Sequence, residues 1–223
     1  MEKKVKSRNV LDKLSSESRE KFLKLGKIET RKKGDVLFIE REKIEHMYII
    51  LEGYVSLYRN SKYGDERVIF ICTDGEIVNE VCLQDNKTSI AARALSDLRL
   101  LKIYVKDLDN FFENDYEAFK IVYNSLAHKL RRLYRQTGNS NGTFPIEKRL
   151  AARIWKLARD YGKNIEGGRK IKFEVTVTLL ASMVGAKRET VSRIISKMKK
   201  EKLIKHDKGV LIVLDMDTLK TIV

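Results

Sequence analysis

Arg188, Glu189 and Arg193 are a donor fork, an acceptor and a second fork, and helical spacing brings them to one side of a single helix. A guanidinium in that setting can donate two parallel hydrogen bonds to guanine O6/N7, and a carboxylate can accept from cytosine N4. The stretch that carries them, TVTLLASMVGAKRETVSRIISKMKKEKLI, runs from Thr176 to Ile204. At 100° per residue Val191, Ile194, Ile195 and Met198 fall on the opposite side from Glu189, Arg193, Ser196 and Lys200, with Arg188 at the flank. One face is built to pack and the other to meet a partner.

A first helix is expected from Val177 to Val184, capped by the Thr176 hydroxyl. Ala181 is small enough for a close helix crossing, Gly185 suits the turn, and apolar residues follow six and nine positions later at Val191 and Ile194. This is the pattern of a helix-turn-helix, whose second helix enters the major groove of duplex DNA. Leu203-Ile204, a turn at Asp207-Lys208-Gly209, and Val210 to Leu214 read as a hairpin that would make a wing. Upstream, Ile146 to Tyr161 reads as a helix with Leu150, Ile154, Trp155, Leu157 and Ala158 on its apolar side and Gly162 as its stop. The intervening GKNIEGGRK is expected to be a loop, with Ile171 to Phe173 a short strand.

The charge agrees with a polyanionic partner. The chain of 223 residues holds 46 Lys and Arg against 31 Asp and Glu, a net +15. Residues 145 to 223 hold 19 basic and 9 acidic side chains, so +10 of the excess lies in the last third. The longest stretch without a charged side chain, Val175 to Ala186, is only 12 residues, well short of the roughly 18 to 20 of a membrane span. No apolar run follows the basic N-terminus, so no membrane association is expected and the cytoplasm is the expected compartment. Cys72 and Cys82 are too few for a disulfide framework or a four-cysteine cluster. They read as buried apolar residues rather than redox sensors, and His46 and His128 sit in no haem-ligand constellation. There is no P-loop, HExxH, GxSxG or Rossmann glycine cluster, so an enzyme is not expected, and neither a metal nor a cofactor is evident.

Before the only proline, Pro145, the pattern changes. Residues 27 to 105 read as short strands at 36–39, 47–51, 54–58, 67–71, 89–92 and 98–103, punctuated by turns at Gly34, Gly53, Gly64 and Gly75, which suggests a β-sandwich or barrel. From 116 to 137 the period becomes helical. Phe119, Leu126 and Leu133, interleaved with Tyr123, Leu130 and Thr137, form an a/d seam that suits either a dimer or packing on the chain's own β domain. QTGNSNGTFP, residues 136 to 145, separates the two regions and reads as a hinge.

Arg188-Glu189-Thr190-Val191-Ser192-Arg193 resembles the recognition-helix signature of the Crp/Fnr family of bacterial transcription regulators, and the resemblance extends over nearly the whole chain. It implies an α+β architecture: a cyclic-nucleotide-binding-like β-roll (jelly roll) with an N-terminal helix over 1–114, a dimerisation helix over 115–137, a hinge over 138–145 and a winged helix-turn-helix over 146–223. It implies base contacts by Arg188, Glu189 and Arg193, and phosphate contacts by Thr176, Lys187, Thr190 and Ser192. It also implies a homodimer joined through Phe119, Tyr123, Leu126, Leu130 and Leu133 on a two-fold symmetric double-stranded DNA site, with RNA polymerase as a further partner.

In the family's cyclic-AMP-binding members a Gly-Glu pair binds ribose and an Arg-Ser pair binds the cyclic phosphate. The matching positions here are Asn79-Glu80 and Thr88-Ser89, so the glycine and the phosphate-binding arginine are both replaced. A neutral Thr cannot supply a charge-assisted fork to phosphate, and Lys87 beside it offers only a point charge. A small-molecule effector other than cyclic AMP is therefore expected. The alternatives are a constitutive DNA-binding protein whose β-roll is an interaction module, or a cyclic-nucleotide sensor.

Overall fold

In the computed structural model the described residues are 9–61, 64–83, 87–138 and 144–222, without the side chains of 82, 83, 137 and 138. Their contacts divide the chain into two compact units, Met1–Arg59 with Phe70–Asn139 and Asn60–Ile69 with Ser140–Val223. Hinge residues 139–143 and loop residues 84–86 lie outside the described set.

In the first unit, α1 (Ser16–Leu25) follows a short 3-10 turn, Val10–Lys13. The strands are β1 (Lys27–Arg31), β2 (Val36–Phe38), β3 (His46–Glu52), β4 (Tyr54–Asn60), β5 (Glu66–Thr73), β6 (Ile77–Val78), β7 (Ala91–Ala94) and β8 (Leu98–Tyr104), of which the end of β4 at Asn60 and the start of β5 up to Ile69 are grouped with the second unit. They form two four-stranded sheets, in the orders β1-β8-β3-β6 and β2-β7-β4-β5. Strand β3 buries both of its faces. Met47 and Ile49 join a core with Phe22, Leu108, Ala118 and Val122 from the helices, while Tyr48 stacks on Phe38 of the other sheet at 6.2 Å. The alternation that defines such a strand is thus apolar on both sides. Strand β1 is missed by sequence because KIETR has little apolar content, and the stretch expected at 89–92 pairs two residues later.

Two helices complete this unit, α2 (Leu108–Asn114) and α3 (Tyr116–Gly138). Ser15 caps α1 by accepting from the Ser18 amide, and its own hydroxyl donates to Glu117 of α3 at 2.7 Å. Helix α3 has two apolar sides. Ala118, Ile121 and Val122 are buried, whereas Phe119, Tyr123, Leu126, Leu130 and Leu133 are between 37 and 60% exposed.

The second unit contains α4 (Ile146–Tyr161), β9 (Gly162–Ile165), β10 (Gly168–Ile171), α5 (Val177–Val184), α6 (Arg188–Lys200), β11 (Ile204–Asp207), β12 (Val210–Val213) and α7 (Met216–Ile222). Its sheet has the order β11-β12-β10-β9. The expected loop GKNIEGGRK is a hairpin instead, turned at Gly167 with φ +73°, and residue 171 ends its second strand rather than starting a new one. Gly162 does end α4, but in extended conformation at φ −86°. Helix α7, for which the sequence carried no expectation, is started by Asp215, whose carboxylate accepts from the amides of Asp217 and Thr218, and is anchored by buried Leu219. Leu150, Ile154 and Leu157 of α4 are buried; Trp155 is only partly covered, with Arg159 4.9 Å above its ring.

Candidate nucleic-acid interface and sensor site

Local chemistry holds the α5–α6 pair in shape. The Thr176 oxygen accepts from the Leu179 amide at 3.0 Å and starts α5. At the other end Gly185 adopts φ +63°, and the amides of Gly185 and Ala186 both donate to the Ala181 carbonyl. That left-handed turn costs a residue with a Cβ about 1–2 kcal/mol, which explains the glycine. Arginines of α4 secure the last carbonyls of α5: Arg149 donates to Val184 O at 2.8 Å and Arg153 to Met183 O at 3.4 Å. These two contacts were not legible in the sequence, because the arginines lie 30 or more residues from the carbonyls they meet.

Helix α6 turns Val191, Ile195 and Met198 inward. Ile194, expected on the packed side, is only half-buried, and the seam runs through Ile195 one residue on. Lys187, Arg188, Glu189, Ser192 and Arg193 are exposed and Thr190 is half-buried. Lys187 is the N-cap residue and its side chain makes no capping bond; its carbonyl accepts from the Thr190 and Val191 amides, and the amides ahead of them are open to water or an anion. Glu189 in that first turn is favoured by the helix dipole. Lys197 is directed elsewhere: its ammonium meets Glu147 of α4 at 2.9 Å. Beside α6, β11 and β12 form the expected hairpin, with Lys208 and Gly209 at φ +42° and +78° in its two-residue turn.

The four sensor candidates of the first unit differ in their surroundings. Asn79 has φ +69°, so the position of the family's glycine keeps a left-handed backbone, which Asn tolerates better than most residues. Its amide nitrogen donates to His46 O at 2.8 Å, and its oxygen is buried without a partner among the described residues. Glu80 is 4% exposed, and its carboxylate is occupied by this chain's own groups. Lys129 of α3 donates to it at 2.6 Å and Ser125 at 2.9 Å. Lys129 also donates to Ile77 O at 2.6 Å. Burial, the largest single influence, pushes the Lys129 ammonium down, yet the charge and hydrogen bond of Glu80 together with Cys72 and Glu76 outweigh it and hold its pKa above the ordinary 10.5. The Thr88 hydroxyl is committed as well, donating to Ile39 O and accepting from the Glu42 amide. Ser89 faces solvent.

Nearby, a cavity of about 520 Å³ is lined by α3 and the 3-10 turn Val10–Lys13, with Glu76 and Lys129 among its walls. None of the four candidates lines it. Cys72 is fully buried, and burial pushes its thiol up to about 12, which suits a packed apolar residue. The side chain of Cys82 lies outside the described residues. Among the described residues no helix is long and apolar enough to cross a membrane.

Comparison with known proteins agrees with both units. Residues 28–115 match the cyclic nucleotide-binding domain and residues 148–222 the Crp-like helix-turn-helix domain. The chain is 25% identical over 162 residues to a CRP-like cAMP-activated global transcriptional regulator of Mycobacterium tuberculosis, covering 72% of each. It is 27% identical over 184 residues to the cyclic AMP receptor protein of Thermus thermophilus, covering 79% of this chain and 78% of that one. The crystal structure of a CRP/FNR family transcriptional regulator, also from Thermus thermophilus, superposes with a TM-score of 0.74 at 25% identity, over 88% of this chain and 97% of that one. With a β-roll, a long helix and a helix-turn-helix in that order, the chain belongs to the Crp/Fnr family of transcription regulators.

Proposed function

We propose that the chain acts as a homodimer that reads a two-fold symmetric duplex with α6, under control of an effector other than cyclic AMP. The observation that carries the reading is the division of α6, with Val191, Ile195 and Met198 buried and Arg188, Glu189, Ser192 and Arg193 exposed on the other side. Arg188, Glu189 and Arg193 contact base edges, while Lys187, Thr190, Ser192 and Thr176 hold phosphates. The Thr176 oxygen already caps α5, which leaves its hydroxyl proton to donate to a phosphate oxygen. The exposed row from Phe119 to Leu133 on α3 supports the dimer, since an apolar stripe of that spacing is stable in water only when covered. Two such dimer-related α6 helices would read half-sites about one helical turn apart.

Arg193→Ala should weaken a specific site by about 1–3 kcal/mol and relax base choice there, whereas Lys187→Ala should weaken all duplexes alike. Equal losses on specific and random DNA for Arg193→Ala would refute base reading by this residue.

Two facts argue against cyclic AMP: the Glu80 carboxylate is held by Lys129 and Ser125, and the Thr88 hydroxyl is held by the backbone. Millimolar cyclic AMP should then leave both the melting temperature and operator affinity unchanged. The occupied Glu80 also favours a second reading, in which the β-roll and α3 are joined without a ligand and DNA binding is constitutive.

A further inference from the structure

We propose that the cavity between α3 and the turn Val10–Lys13 binds a small oxyanion, a phosphorylated or polycarboxylate metabolite, at a site separate from the positions of Asn79, Glu80, Thr88 and Ser89. At about 520 Å³ it falls within the range of small-molecule sites. Its charge is what selects the ligand. Glu76 is in its lining and is already answered, accepting from the Thr73 amide at 2.9 Å and meeting Arg132 at 3.5 Å; Glu80, outside the lining, is paired with the lining residue Lys129. Lys13 and Arg131 remain as exposed cations on the walls.

Lys129 adds a third cation to the lining. An ammonium has three protons, and Lys129, one of the residues that line the cavity, uses one on Ile77 O and one on Glu80, which leaves a third without an acceptor among the described residues. Such a proton, buried and charged, is a strong partner for an anionic oxygen. Ser125, on the same wall, is the other group that holds Glu80. A bound oxyanion would compete with Glu80 for Lys129 and so act on the contact between α3 and the β-roll. This consequence rests on the regulator reading above; the binding itself does not.

The test therefore uses the full chain without DNA. Melting is followed with 10 mM inorganic phosphate, pyrophosphate or citrate against chloride of equal ionic strength, for the unaltered chain, Lys13→Ala/Arg131→Ala and the charge reversal Arg131→Glu. These salts stabilise most proteins through exclusion from the surface, so the quantity read is the difference between the unaltered chain and the variants. The expected result is an extra rise of about 3 °C or more in the unaltered chain, lost in both variants, for a site of millimolar affinity. A larger response to pyrophosphate assigns a phosphorylated ligand, and a larger response to citrate assigns a polycarboxylate. Equal shifts in the unaltered chain and both variants overturn the proposal, whatever the DNA experiments give.

Discussion

Replacing Lys129 by Met removes the ammonium that faces Glu80 and leaves a carboxylate at 4% exposure with, among the described residues, only the Ser125 hydroxyl, 2.9 Å away, and nothing positive at hydrogen-bond distance. A surface pair broken in this way would cost about 0–1 kcal/mol. Here both partners are buried, and removing one should cost about 3–5 kcal/mol because the other charge stays desolvated. For a unit of this size that is a fall in melting temperature of about 10 °C or more. The double variant Lys129→Met/Glu80→Gln should recover most of the loss. Its remaining deficit is the donor lost by Ile77 O, about 1 kcal/mol. The assay has to report the first unit. The only tryptophan, Trp155, belongs to the second unit, so hydrogen exchange of the β3 amides under increasing urea is the better probe. The pH dependence follows from the raised Lys129 value: its contribution is complete below 10.5 and is lost as pH rises through the folded value. Between pH 7 and about 9 the difference between the unaltered chain and the variant should therefore stay flat. A loss under about 1 kcal/mol for Lys129→Met, or a double variant as poor as the sum of the singles, would refute the buried-pair argument.

In a Cys82→Ser background, Cys72 with its thiol pushed up to about 12 should be about a thousandfold or more slower toward iodoacetamide at pH 8 in the folded than in the unfolded chain; comparable rates would contradict its burial. The same thiol contributes stability that is present below its ordinary 9.0 and is lost as pH rises through about 12, so the fall in stability over that range should be shallower in Cys72→Ala, whose cavity cost does not vary with pH. Leu126→Arg/Leu130→Arg places two charges on the exposed stripe of α3 and should give a folded monomer by sedimentation, with operator affinity reduced more than tenfold; a dimer of unchanged affinity would rule out this seam.

What was legible in the sequence was whatever rests on local pattern. Thr176, Ala181, Gly185 and the apolar series of α6 are near one another in the chain and each has one physical reason to be where it is, so helix, turn and helix could be read directly. The a/d seam was legible for the same reason, though not which of its neighbours would pack inward. The hairpin from Gly162 to Ile171 was not, because a short polar strand beside glycines has no apolar alternation to show it. The state of the sensor site was hidden for a different cause. Glu80 and Lys129 are 49 residues apart, and only the fold brings α3 over the turn that carries Glu80. Sequence comparison with the family could find the missing arginine at Thr88, but not that the remaining carboxylate had acquired a partner of its own.

The central claim is that α6 reads bases in a symmetric duplex, and selection of bound duplexes from a random pool tests it most directly. The predicted result is enrichment of an inverted repeat, its half-sites about one helical turn apart, and an altered preference at one base pair of each half-site when Arg193 is replaced by Ala. Recovery of duplexes with no common sequence, or of the same sequence unchanged with Arg188, Glu189 and Arg193 all replaced by Ala, would contradict it.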